Sequence, residues 1–168
     1  MRAAAPIALA ICLMMWSAMA TAQEAAEDDH SAVLEAGAAG EHSVSGGSSR
    51  FGAAVGVEVT PIENWLEVEF GVAALRGSGA TEISSDLVFK VPYRLSPTAE
   101  FMIGLGPFVS RTVNSPDAST AHGIEVALDF MFWPHKEFGW YLEPSWSRAA
   151  GSGERTIGVT IGLLFGLH

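Results

Sequence analysis

Cysteine is all but missing from this sequence. The single copy, Cys12, lies in the apolar N-terminal stretch. It follows Leu9-Ala10-Ile11, and Ile11 is too bulky for the small residue that a lipoprotein box needs before its cysteine. Without thiols beyond that stretch, disulfides and thiolate metal sites are excluded from the rest of the chain. Bases are also scarce, 9 Lys and Arg against 19 Asp and Glu. Such a chain repels nucleic acid rather than binding it, because phosphate neutralisation needs Lys and Arg. Long apolar runs are missing too: no segment is apolar for the roughly 20 residues that a membrane helix needs. There is no G-x-S-x-G, P-loop or HExxH motif. Yet mean hydropathy is positive, which does not describe a disordered acidic tail. The arrangement of the apolar residues carries the information.

The N-terminus reads as an export signal. Met1-Arg2 precedes an apolar run from Ala3 to Ala18, and Ala20-Thr21-Ala22 stands before Gln23. A charged start, a short apolar core and an A-x-A box predict a secretory signal peptide over residues 1–22; a signal anchor is the competing reading. Residues 23–30 (QEAAEDDH) predict a polar, solvated leader.

From Ser31 to His168 one unit recurs: about ten residues alternating between apolar and other types, then a turn signal. The last segment is the clearest, with Ile157, Val159, Ile161, Leu163, Phe165 and Leu167 against Thr156, Gly158, Thr160, Gly162, Leu164 and Gly166. Similar alternation marks Leu66–Val72, Phe101–Val109 and Ile124–Phe132, and Phe51–Val59, Ile83–Tyr93 and Trp140–Trp146 follow suit. An Ala/Gly-rich segment near Ala32–Gly40 completes eight strands. Pro61, Pro97 and Pro134 are expected in turns, and Pro107 and Pro144 at bulges inside strands.

A soluble eight-stranded barrel of the lipocalin kind buries its apolar parity and exposes a polar one. Here the second parity is Gly and Ala with scattered carboxylates, a poor surface for water but a fitting filler for a narrow lumen. The apolar parity then faces lipid, where a charge costs roughly 2–4 kcal/mol near the midplane; no strand carries one there between its ends. With both termini in the periplasm, Trp65, Tyr93, Trp133, Trp140, Tyr141 and Phe165 fall at the periplasmic ends, and Phe51 and Trp146 at the outer ends. Such girdles mark membrane barrels.

On this pattern the chain resembles the small outer-membrane β-barrel families of the OmpA and OmpX type. The resemblance implies an all-β fold, an eight-stranded antiparallel up-and-down transmembrane β-barrel inserted by the barrel-assembly machinery. Those families usually end on an aromatic residue; this chain ends Phe165-Gly166-Leu167-His168.

Every acid within the strands takes the lumen parity: Glu35, Glu58, Glu67, Glu69, Glu82, Asp86, Glu100, Glu125, Asp129 and Glu143, with Lys90 the one base among them. Turn positions predict Asp129 beside Glu143, Glu58 beside Glu67, and Lys90 paired with Glu100. Paired carboxylates in a confined site share a proton or hold a cation, and oxygen-only clusters suit Ca²⁺ or Mg²⁺. No cofactor is expected beyond such a cation. Arg50, Arg76, Arg111, Arg148 and Arg155 group near the outer loops, where lipopolysaccharide phosphates would accept bidentate guanidinium contacts.

Lipid A hydrolysis or acyl transfer is weighed on His122, Ser145, Ser147 and Glu143. His122 takes the lipid parity and the others the lumen parity, and His122 is followed by Gly123-Ile124-Glu125 rather than the His-x-Ser-Asn of lipid A deacylases. No catalytic residue is assigned. The short outer loops leave little surface for an adhesin. The expected role is structural, in envelope integrity, with an acidic, plugged lumen. A narrow porin-like cation path and a lipid A-modifying enzyme are the alternatives.

Overall fold

The computed structural model describes residues 30–77, 79–114 and 118–167. The predicted signal peptide and all of the leader except His30 lie outside the described residues. The described residues form eight strands: β1 (Ala32–Ser43), β2 (Ser49–Ile62), β3 (Leu66–Gly77), β4 (Ala80–Ser96), β5 (Ala99–Val113), β6 (Thr120–His135), β7 (Phe138–Ala149) and β8 (Arg155–Leu167). Each strand pairs antiparallel with the next, and β1 closes on β8 from Ala32↔Leu167 to Ser43↔Thr156. Closure leaves no unpaired edge. The start of β1, the end of β8 and the turns at 63–65, 97–98 and 136–137 share one end, here called the terminal end. The remaining connections form the loop end.

The alternation sets which way each side chain faces. Leu34, Val55, Phe70, Leu87, Phe89, Ile103, Leu105, Ile124 and Ile161 stand exposed on the outer surface. Among the described residues, the outward parity carries charge only near the loop end, at Arg76, Arg111, Arg148 and Arg155. A water-facing surface so apolar would drive association; in lipid it is the required solvent match. Aromatic rings belt this surface toward the terminal end. Tyr93 leans on Phe101, and Phe101 on Phe130; Phe132 stacks on Trp140 at 4.2 Å, and Phe138 meets Phe165 edge-on.

Two of the predicted girdle residues turn inward. Tyr141 is 2% exposed within the barrel. Trp133 stacks on His30 and lines the terminal-end mouth. Both sit on the parity opposite their strand's lipid-facing residues, Tyr141 next to Trp140 and Trp133 next to Phe132, so they belong to the lumen.

Pro97 lies in the β4–β5 turn as expected, and Pro61, Pro107, Pro134 and Pro144 differ from expectation. Pro61 and Pro134 lie within β2 and β6, at register shifts between Val59 and Ile62 and between Phe132 and His135. Pro107 and Pro144 lie in strands that keep their register. Pairing runs through Pro107 to Ile124 on one side and resumes unshifted on the other, from Asp86↔Phe108 to Phe89↔Leu105. Pro144 pairs with Val159, and the β6–β7 ladder resumes unshifted from Ala127↔Ser145 to Phe130↔Leu142. A residue in an antiparallel strand exchanges hydrogen bonds with one neighbour only. Each proline therefore removes a bond from a single ladder, and the other ladder holds the register.

Candidate functional site: a charged septum in the lumen

The inner face is lined largely by small residues, and this admits one long side chain across the barrel. Lys90 of β4 points inward opposite Gly104 of β5. A Cβ on Gly104 would lie 2.9 Å from Lys90 Cγ and 2.5 Å from Val88 Cγ1, so the lysine stem occupies the space that a larger residue would take. Lys90 is fully buried. Its ammonium lies 2.8 Å from Asp129 Oδ2 on β6, 3.0 Å from Glu58 Oε2 on β2 and 3.3 Å from Glu143 Oε2 on β7, and it also contacts Glu69 Oε2 on β3. One cation thus gathers carboxylates from four other strands. Glu35 of β1, 4% exposed, joins the group: an oxygen from each of Glu35, Glu58 and Asp129 lies within 4.8 Å of the other two.

An apolar layer completes the barrier. Val33, Met102, Met131, Tyr141 and Leu164 form one buried cluster. The lumen is thereby divided into two vestibules that share no lining residue. The loop-end vestibule, about 200 Å³, is walled by Glu35, Glu69, Asp86, Glu125 and Glu143 among others. The terminal-end vestibule, about 590 Å³, is walled by Glu58, Glu67, Glu100, Met131, Trp133 and others. Lys90 and Asp129 line neither, because they lie in the wall between.

The structure brings together Glu58, Glu69, Asp129 and Glu143 of the predicted acidic cluster. Glu67 is buried on the terminal-end side, and Glu125 stands farther toward the loops. Asp129 falls opposite Glu143 by the register on either side of them. One predicted pair is met in a different register and one is corrected. Glu58 falls opposite Glu69 in the ladder, since the β2–β3 turn centres on Asn64, at a φ of +58°, and not on Ile62, yet its side chain shares a hydrogen bond with Glu67 as expected. Lys90 faces Gly104, and Glu100 faces Arg94, because the β4–β5 turn falls at Pro97-Thr98, beyond the position the alternation alone suggests.

Arg50 is a further correction. The sequence places it with the outer-loop arginines, but its guanidinium turns into the loop-end mouth, where it pairs with Glu82 and lies 3.4 Å from Glu41. Parity alone signals this, since Phe51 faces outward and its neighbour must face in. Arg76, Arg111, Arg148 and Arg155 do remain exposed and outward. His122 faces outward opposite Val109, whereas Ser145, Ser147 and Glu143 line the lumen, so these side chains form no triad.

No protein-family model matches the sequence, and no curated protein matches it. Solved structures do. Neisserial surface protein A superposes with a TM-score of 0.69 at 11% identity, over 84% of this chain and all of that one. The outer membrane protein OprG from Pseudomonas aeruginosa gives 0.66 at 10% identity, over 84% of this chain and 98% of that one. Ail, the attachment invasion locus protein of Yersinia pestis, gives 0.64 at 12% identity, over 82% and 99%. This chain has the fold of the small eight-stranded outer-membrane barrels. At such identities the likeness extends to the fold, and the septum residues must be read on their own chemistry.

Proposed function

We propose that the protein is a non-conducting outer-membrane barrel with a structural role in envelope integrity. The septum is the observation that carries this reading. An ammonium held by carboxylates from four strands, backed by an apolar layer, blocks the lumen and cross-braces the wall. The apolar outer band and the shared fold support residence in the outer membrane, reached by signal-peptide export and the barrel-assembly machinery. Arg76, Arg111, Arg148 and Arg155, outward at the loop end, are suited to bind lipopolysaccharide phosphates through bidentate guanidinium contacts. Arg50 is committed to Glu41 and Glu82 and is left out of that ring. Catalysis is not part of this reading, since His122 and the lumen serines face opposite sides of the wall.

Deleting the gene in its host tests the role. Sensitivity to detergents and bulky antibiotics should rise while uptake of small cations stays unchanged. An altered cation uptake with an intact permeability barrier would replace the structural reading with a narrow conduit, the second reading that the acidic vestibule walls favour. Changing the four outward arginines to Gln should reduce the lipopolysaccharide that co-purifies with the barrel; undiminished retention would remove the phosphate contacts.

A further inference from the structure

Lys90 does not complete the chemistry of the septum. An ammonium has three N–H donors, and five carboxylates surround this one: the buried Glu35, Glu58, Glu69 and Asp129 and the partly buried Glu143. Asp129 uses Oδ2 in a hydrogen bond to Lys90, and its Oδ1 has no partner. Glu35 is 96% buried, forms no ion pair with Lys90, and its Oε1 has no hydrogen-bond partner among the described residues. A buried carboxylate oxygen without a partner is costly. Something else must face it.

The geometry points to a divalent cation bound by Glu35, Glu58 and Asp129, a site of hard oxygen donors for Ca²⁺ or Mg²⁺. The three residues each offer an oxygen within 4.8 Å of the other two. A proton bridges two oxygens and leaves the third unanswered. A cation of this class coordinates all three, and oxygens are the ligands it takes. Glu35 lines the loop-end vestibule, which gives the ion a path inward and room for the waters that complete its shell. The ion would tie β1 and β2 to β6 across the lumen, next to the Lys90 brace. Three protein donors make a site of modest strength, with half-saturation on the order of 0.1–1 mM, the range of extracellular calcium modules. The inference rests on the septum geometry and not on whether the barrel conducts.

The test is equilibrium binding of Ca²⁺ alone to the refolded mature chain in detergent, stripped beforehand with a chelator. One ion per barrel is expected, together with a rise in the temperature at which the folded form gives way to the unfolded form on a gel. Glu35→Gln keeps the shape and removes one donor charge; it should weaken binding roughly tenfold or more, because affinity follows ligand charge. Glu137→Gln, in the exposed β6–β7 turn, should leave binding unchanged. Infrared spectroscopy of the wild type keeps the question open to refutation even if the variant fails to fold: Ca²⁺ should shift a carboxylate stretch. Absence of stoichiometric binding through the millimolar range would overturn the site, as would binding indifferent to Glu35→Gln. So would a protonated-carboxyl band that persists at saturating Ca²⁺, which would mean that a proton occupies the place assigned to the ion.

Discussion

At the scale of single residues, Lys90 is the most consequential side chain in the barrel. Its burial is tolerable because opposite charges and hydrogen bonds answer it. Removing it leaves the carboxylates facing one another without their counter-charge. Breaking a buried pair in this way typically costs about 3–5 kcal/mol. Lys90→Met should therefore lower stability by about that much in urea titrations followed by tryptophan fluorescence. Neutralising Glu58, Glu69 and Asp129 in the same chain should restore part of the loss, since replacing a whole buried ionic group is far less damaging than orphaning it. An unchanged midpoint in Lys90→Met would mean that the ammonium braces nothing. Gly104 provides an independent check. Its missing side chain makes room for Lys90 and Val88, and Gly104→Val should destabilise by about 1–3 kcal/mol through overpacking. Tyr141 and Arg50 illustrate how residues are misplaced from sequence. Each stands beside a residue of the opposite parity, and a reading by neighbourhood rather than by alternation puts it on the wrong face.

At the scale of the strand, alternation decides the environment of every side chain. The prediction is a strong contrast between two faces of one element. Ile103 and Leu105 face lipid on β5, and Ile103→Arg should cost roughly 2–4 kcal/mol if it lies near the midplane. The existing Arg111, on the same face but near the loop end, is tolerated because depth sets the cost. A folding titration in lipid vesicles that gave equal stability for Ile103→Arg and wild type would contradict the assignment of this face. Strand number, order and facing were legible in the sequence because the period of two repeats wherever one side meets lipid. Register was less so. The β2–β3 and β4–β5 hairpins turn at Asn64 and Pro97-Thr98, and the strands of 12 to 17 residues run past the apolar alternation that marks them. Beyond the apolar band no periodic demand remains on the sequence, so the turn chemistry alone fixes the pairing. The cluster members were legible as lumen acids, but their grouping around Lys90 was not, because it joins strands far apart in the chain and depends on register to within a single residue.

At the scale of the molecule, closure and closing-off are separate achievements. Pairing of β1 with β8 closes the wall; the septum closes the space inside it. An eight-stranded barrel is narrow enough for side chains to fill, and here one lysine with its carboxylates, together with an apolar layer, does so between two open vestibules. A barrel so filled should span the membrane without perforating it. Conductance of the refolded mature chain in a planar bilayer, with folding verified by heat-dependent gel migration and a salt gradient across the membrane, tests that claim most directly. A silent membrane is the predicted result. Discrete cation-selective steps from the folded wild type would contradict it and turn the acidic lumen into a conduit.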